Sequence, residues 1–188
     1  MHSRIIEGAI EETGEKGIKF TMNDLAKRLG VSKRTIYEKF NSKEEIIEAI
    51  VDKFLATMKE KEEEILNDPN LTSIEKLKAI AMILPNDFKL MYFSKFYEMK
   101  RYYPKQWQKI EKWAAEWEPE TKLIEEGIGN HQLRKVNTVV LRKIVVESTM
   151  ALLDRNFLIK NDITLRDALH AMVDIILYGL VKDERKDE

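Results

Sequence analysis

Apolar residues recur three and four positions apart along almost the whole chain, the spacing of one face of an α-helix. Ile5, Ile6, Ala9 and Ile10 form a first stripe over residues 3–15, closed by Gly14 and Gly17. Leu25, Ala26 and Leu29 form a second, opened by Thr21 with Asp24 three residues on, a short-armed capping box, and stopped at Gly30. Ser32 caps a third helix that turns Ile36 and Phe40 inward. Ser42 with Glu45 opens a fourth, which carries Ile47, Ile50, Val51, Phe54 and Met58 and runs through the solvated KEKEEE stretch to Asn67-Asp68-Pro69.

Thr72 with Glu75 caps a fifth helix that stops at Pro85, and a sixth covers residues 86–103. Pro104 sits where a seventh can start, and Pro119 interrupts or kinks it. After the break at Gly127, Gly129 and Asn130, two strongly apolar helices over 138–157 and 165–181 close the pattern, and the tail KDERKDE reads as frayed. No strand-like alternation or internal repeat occurs. The predicted fold class is all-α with about nine helices: an N-terminal three-helix helix-turn-helix domain over residues 1–45 and a larger helical domain over 46–188, joined through the long fourth helix without a flexible linker.

Composition narrows the function classes. The 188 residues carry a net charge of -1 and no Cys, which removes disulfides and thiolate metal sites and fits a reducing cytoplasm. The most apolar run, Ala171 to Val181, is too short to span a bilayer and contains Asp174. No HExxH, phosphate-binding loop or strand-linked GxGxxG is present, so no catalytic, metal-ligating or cofactor-binding residue is assigned and no enzymatic activity is expected. Asp167 and His170 share a helical face, but one such pair is a weak metal signal and reads as surface or interface.

Charge is distributed unevenly. Residues 27–43 hold six cations (Lys27, Arg28, Lys33, Arg34, Lys39, Lys43) against the single anion Glu38, although residues 1–48 carry nine of each sign. The basic patch is therefore one face of a balanced unit. Helix, tight turn at Gly30-Val31, helix is the spacing of a helix-turn-helix. With the apolar residues turned inward, Ser32, Lys33, Arg34, Thr35, Tyr37 and Lys39 remain to project outward, the donors that phosphate contacts and base-edge readout require. Thr21 and Lys43, at the starts of the second and fourth helices, can add phosphate contacts. A solvated amphipathic helix with incidental cations is the bland alternative.

The stretch FTMNDLAKRLGVSKRTIYEKFNSKEEI resembles the DNA-binding domain of TetR-family transcriptional regulators, over about residues 5–50. The resemblance implies an all-helical homodimer that binds a palindromic operator and carries a ligand-binding C-terminal domain. By position it implies DNA-facing roles for Thr21, Ser32, Lys33, Arg34, Thr35, Tyr37 and Lys43, with Lys39 a looser match. Tyr37 and Lys43 stand as phosphate anchors, and Lys33, Arg34 and Thr35 as base readers. Gly8 stands where the family usually has Ala, Thr13 where it has a large apolar residue, and the loop at residues 18–20 is about one residue short. Glu38 has no assigned role.

Ten of the 16 aromatic residues fall between Phe88 and Trp117. Most fill a core, but the density, with Met82, Met91 and Met99 nearby, also suits a cavity for an apolar or amphipathic ligand of unknown identity. Phe93, Phe96, Tyr97 and Trp113 are its expected lining. The last two helices are apolar on more than one face, which a two-fold dimer interface would bury. The expected function is a transcriptional repressor that releases its operator when ligand binds. The competing reading is a helical protein whose C-terminal unit binds a protein partner or carries unrecognised chemistry.

Overall fold

The computed structural model describes residues 1–83, 96–152 and 154–180. Within them the chain is helical, with no strand. Eleven helices follow in order: α1 His2–Lys16, α2 Met22–Leu29, α3 Lys33–Tyr37, α4 Lys43–Leu66, α5 Ser73–Ala81, α6 Phe96–Tyr102, α7 Pro104–Ala115, α8 Glu118–Gly129, α9 Thr138–Leu152, α10 Arg155–Lys160 and α11 Leu165–Leu180. The all-α class holds, and the count exceeds nine for local reasons. Pro119 lies in the first turn of α8, where its missing N–H costs nothing, so it opens a helix where a kink is equally readable from sequence. Asp154 accepts the Asn156 N–H at 2.9 Å and so starts a separate α10. Phe88, Tyr92, Phe93, Leu153, the tail and the first part of the expected sixth helix lie outside the described residues.

Two compact units emerge. The first contains α1–α3, most of α4, α6 and α7; the second contains the end of α4, α5 and α8–α11. This partition differs from the boundary near residue 45, because α4 keeps burying Ile46, Ile47, Ile50, Val51, Phe54 and Met58 well beyond it. In the first unit Ile5, Ala9, Leu25, Ile36 and Phe40 form the buried seam of α1–α3. Gly8 belongs to that seam: a Cβ there would meet Leu29 Cδ2 at 2.7 Å, so glycine lets α1 approach α2 closely. Thr13 is half-buried and satisfies its hydroxyl by donating to the Ala9 carbonyl at 2.8 Å. Along the other edge, Lys109 of α7 bridges Glu48 and Asp52 of α4 at 2.8 and 2.7 Å.

In the second unit α5 packs on α8, and α11 on α9 and α5. Ile124, Leu133, Leu141, Val173 and Leu177 form its buried cluster. Leu141 is the one buried residue of α9. Val139, Val140 and Ile144 on α9, and Ile175 and Tyr178 on α11, are exposed, the last two at 73% and 80%. The two helices are thus apolar both toward their own cluster and away from it. No described helix is long and apolar enough to cross a membrane.

Candidate nucleic-acid interface

The turn between α2 and α3 is built by glycine. Gly30 adopts φ 64°, ψ 33°, the left-handed conformation that ends helices. Its N–H donates to the Lys27 carbonyl at 3.2 Å and the Val31 N–H to Ala26 at 3.0 Å, which satisfies two end carbonyls of α2. The Arg4 guanidinium donates to a third, Leu29, at 2.9 Å. At the other end of α2, Thr21 and Asp24 complete the expected capping box, and Asp24 also pairs with Lys16 at 2.8 Å. The Lys16 ammonium beside it and the Thr21 donors hold the Asp24 carboxyl far below the usual carboxylate range.

Helix α3 is only five residues long and depends on its anchors. Ile36 is fully buried and Phe40 nearly so. Ser32 Oγ accepts the Thr35 N–H at 3.1 Å, and the two hydroxyls lie 2.9 Å apart. Burying Ile36 and Phe40 turns Lys33, Arg34, Tyr37 and Lys39 to solvent, while Thr35 is half-buried. Arg34 Nε lies 3.4 Å from Glu38 Oε1 one turn on. That contact gives Glu38 a position: it holds the inner nitrogen of the guanidinium and leaves the terminal fork free to donate.

Two of the patch cations are committed inward. Arg28 pairs with Glu11 at 3.0 Å, Glu12 at 2.7 Å and Glu15 at 2.5 Å, bracing α2 against α1. Glu12 is buried, and Lys16 reaches its other oxygen at 3.0 Å. Burial would raise this carboxyl, but the hydrogen bonds from Arg28 and Lys16 win and hold it below its ordinary value. Lys43 donates to the Ile18 carbonyl at 2.5 Å with its ammonium 4.3 Å from the Phe20 ring centre. Burial pushes the Lys43 ammonium down. Its side chain thus braces the loop before α2, while its place at the first turn of α4 keeps the end of that helix at the same edge. Tyr103 flanks Lys43 at 5.9 Å, and Tyr102 lies 5.1 Å under Lys19, so the α6–α7 corner also touches this loop.

Ser32, Lys33, Arg34, Thr35, Tyr37 and Lys39 lie on or beside α3, while Thr21 caps α2 and Lys43 opens α4, with two distinctions that position alone does not reveal: Lys43 turns inward, and Ser32 and Thr35 bond each other. The face that results offers ammonium, guanidinium and phenol donors to an acceptor-rich, anionic surface. The acid spacing Glu11, Glu12, Glu15 on α1 was the readable signal for the Arg28 brace. Among the expected ligand contacts, Phe93 lies outside the described residues and Phe96 and Tyr97 open α6. Trp113 is half-buried and meets Phe54 edge to face at 6.0 Å between ring centres. Asp167 Oδ2 accepts from Thr164 Oγ1 at 2.5 Å while His170 is exposed, and no metal-binding acid or His cluster occurs among the described residues.

Residues 5–50 match the model of the bacterial regulatory proteins of the tetR family. Over its full length the chain is 31% identical to an uncharacterized HTH-type transcriptional regulator, YvaF of Bacillus subtilis (strain 168), covering 99% of that protein. Among solved structures, it resembles SmeT, the repressor of the Stenotrophomonas maltophilia multidrug efflux pump SmeDEF, with TM-score 0.73 and 18% identity over 98% of this chain and 92% of that one. It also resembles FadR of Bacillus subtilis in complex with stearoyl-CoA, with TM-score 0.68 and 18% identity over 95% and 99% of the two chains.

Proposed function

The chain belongs to the TetR family of bacterial transcriptional regulators, and from that premise we propose that it is a homodimeric repressor that leaves a palindromic operator when a small apolar or amphipathic ligand binds. The observation that carries the DNA reading is the presentation of α3: a short helix pinned by Ile36 and Phe40, with Lys33, Arg34, Tyr37 and Lys39 exposed. Lys33, Arg34 and Thr35 read base edges in the major groove, Tyr37 and Lys39 contact the backbone, and Thr21 and Ser32 meet phosphates beside their helix starts. Lys43 acts through the first amides of the 24-residue α4, since its ammonium is engaged elsewhere.

The exposed apolar faces of α9 and α11 support the dimer, because a contiguous apolar surface of that kind is the usual mark of an interface. Two reading heads then enter successive major grooves about 34–36 Å apart. Residues 1–45 are the DNA-binding part and the rest senses ligand and dimerises. Phe93, Phe96, Tyr97 and Trp113 are candidate ligand contacts, and the protein works in the cytoplasm without catalysing a reaction. That SmeT is a repressor and FadR is complexed with stearoyl-CoA supports the repressor and ligand elements. Ligand shifts operator occupancy only by its differential affinity for the bound and released conformations.

The test is mobility shift of purified protein on duplexes flanking its own gene, against random duplex at moderate salt. A preference of at least about 1,000-fold for one site is expected. Equal affinity for all duplexes defeats the proposal.

A further inference from the structure

Helix α7 runs parallel to α4, so the two begin at the same end. Gln106 Nε2 lies 3.4 Å from Glu44, Lys109 bridges Glu48 and Asp52, and Trp113 meets Phe54. Lys105, in the first turn of α7, therefore stands level with the start of α4 and lines one cleft with Ser42 and Glu44. The start of α2 is beside them, because the Lys43 ammonium lies 4.3 Å from the ring centre of Phe20, next to Thr21, and 5.9 Å from that of Tyr103 at the α6–α7 corner. The starts of α2, α4 and α7 thus meet at one edge of the first unit. Thr21 and Lys43 mark the first two and have a proposed part in DNA binding. The α6–α7 corner has no such part.

That corner is basic and open. Lys19, Arg101, Tyr102 and Lys105 are all exposed. Lys19 Nζ lies 5.1 Å and Arg101 Cζ 5.6 Å from the centre of the Tyr102 ring, so two cations share one phenol. Tyr102 first, then Glu98, hold the Lys19 ammonium up, while Arg101 pushes it down. Lys100 is paired with Glu111 at 3.4 Å, but Arg101 and Lys105 have no ion-pair partner among the described residues. Most acids of this edge are committed. Lys16 and Thr21 hold Asp24, Asn41 holds both oxygens of Glu45, and Lys109 holds Glu48. Like charges crowded on one exposed ring repel, and an anion set between them turns that cost into attraction. Lys19, Arg101 and Tyr102 also repeat the donor set of α3, where Lys33, Arg34 and Tyr37 offer an ammonium, a guanidinium and a phenol. A duplex is a long rod, so one held by α3 carries its phosphates on past the half-site along this edge.

We propose that the α6–α7 corner is a second DNA-backbone contact: Lys19, Arg101 and Lys105, with the Tyr102 hydroxyl, take phosphates of the duplex flanking the half-site that α3 reads. Such contacts carry no base information. They add affinity and salt dependence and fix the register of the protein on its operator. This deepens the DNA reading proposed above and rests on it.

The test uses the full chain and two duplexes that carry its preferred site. One ends at the outer edges of the site, and the other is extended by about 10 base pairs of random sequence on each side. The natural chain should bind the extended duplex about 10-fold tighter. Lys19→Ala/Arg101→Ala should keep its affinity for the short duplex and lose most of that gain. Its salt slope on the extended duplex should fall by about two units for each protomer. Lys135→Ala/Lys160→Ala removes the same charge from exposed positions of the second unit and should keep the gain. A cooperative thermal melt shows that the variants fold, and the gain in the natural chain is read without any variant. No gain on extension, a gain retained in Lys19→Ala/Arg101→Ala, an equal loss on both duplexes, or the same loss in the second-unit variant overturns the inference. A chain that prefers its site on the short duplex but gains nothing on extension keeps the regulator reading and removes this one. A chain with no preference for any duplex defeats both.

Discussion

Glu12 and Glu120 are the two buried glutamates among the described residues, and their surroundings are opposite. Glu12, in the α1–α3 seam, is met by Arg28 at 2.7 Å and Lys16 at 3.0 Å. Glu120, beside the second unit's cluster, has no ion-pair partner among the described residues and feels another carboxylate, Glu62. Burial raises both acids, but only in the first does pairing overcome it. The difference separates a paired brace from an unpaired acid. The DNA-reading unit has to hold one geometry, so its buried charge is closed. The second unit keeps a buried acid with no cation beside it, which destabilises its charged form.

The largest effect is expected where the brace is cut. Arg28→Ala leaves Glu12 buried with Lys16 alone and should cost about 3 kcal/mol in urea unfolding followed by helical circular dichroism. Adding Glu12→Gln should recover part of it, because the uncompensated charge is then gone. A loss below about 1 kcal/mol in the single variant would mean that Glu12 is no brace, and the contrast with Glu120 would collapse.

Acidity tests the same contrast with opposite signs. The folded value of Glu12 is depressed, so its contribution is present above the ordinary value of 4.5 and is lost as pH falls through the depressed one. The folded value of Glu120 is raised to about 7, so its contribution is full below 4.5 and is lost as pH rises through 7. Between pH 5 and pH 8 the natural chain should lose on the order of 2 kcal/mol that Glu120→Gln does not lose, read as diverging melting temperatures. Parallel curves for the two proteins would show Glu120 to be paired in solution.

Much of this arrangement was legible in the sequence, because stripes and caps are local. Thr21-Asp24, Ser32, Thr72-Glu75 and Gly30 mark their helix ends in the structure as their chemistry requires. What was not legible depends on partners distant in the chain. A charge count over residues 27–43 includes Arg28 and Lys43 as free cations, whereas one is spent on α1, 13 to 17 residues earlier, and the other on the Ile18 carbonyl. Asp154 caps a helix inside what reads as one continuous apolar stripe, since periodicity does not register a cap. Glu120 was half legible. An acid at the head of the stripe Leu123, Ile124, Gly127 is out of pattern, but only burial shows that it stays inside.

A third glutamate gives the smallest and most selective effect. Glu38 is exposed and paired with Arg34 at 3.4 Å, beside the face proposed to read DNA. An exposed pair of this kind contributes little to stability, so its use is in geometry and charge. If Arg34 reads a base edge as proposed, Arg34→Ala should cost about 1–3 kcal/mol on the operator and little on random duplex. Glu38→Gln should act on both terms in opposite directions. Removing an anion beside phosphate tightens random binding, and releasing Nε frees the guanidinium to take a phosphate instead of a base edge. Discrimination between operator and random duplex should therefore fall by about 3–10-fold while overall affinity rises. In an Arg34→Ala background the same Glu38→Gln change should no longer alter discrimination, and only the electrostatic gain should remain. Discrimination that falls equally in both backgrounds would make Glu38 a repulsive surface charge and not the residue that aims Arg34.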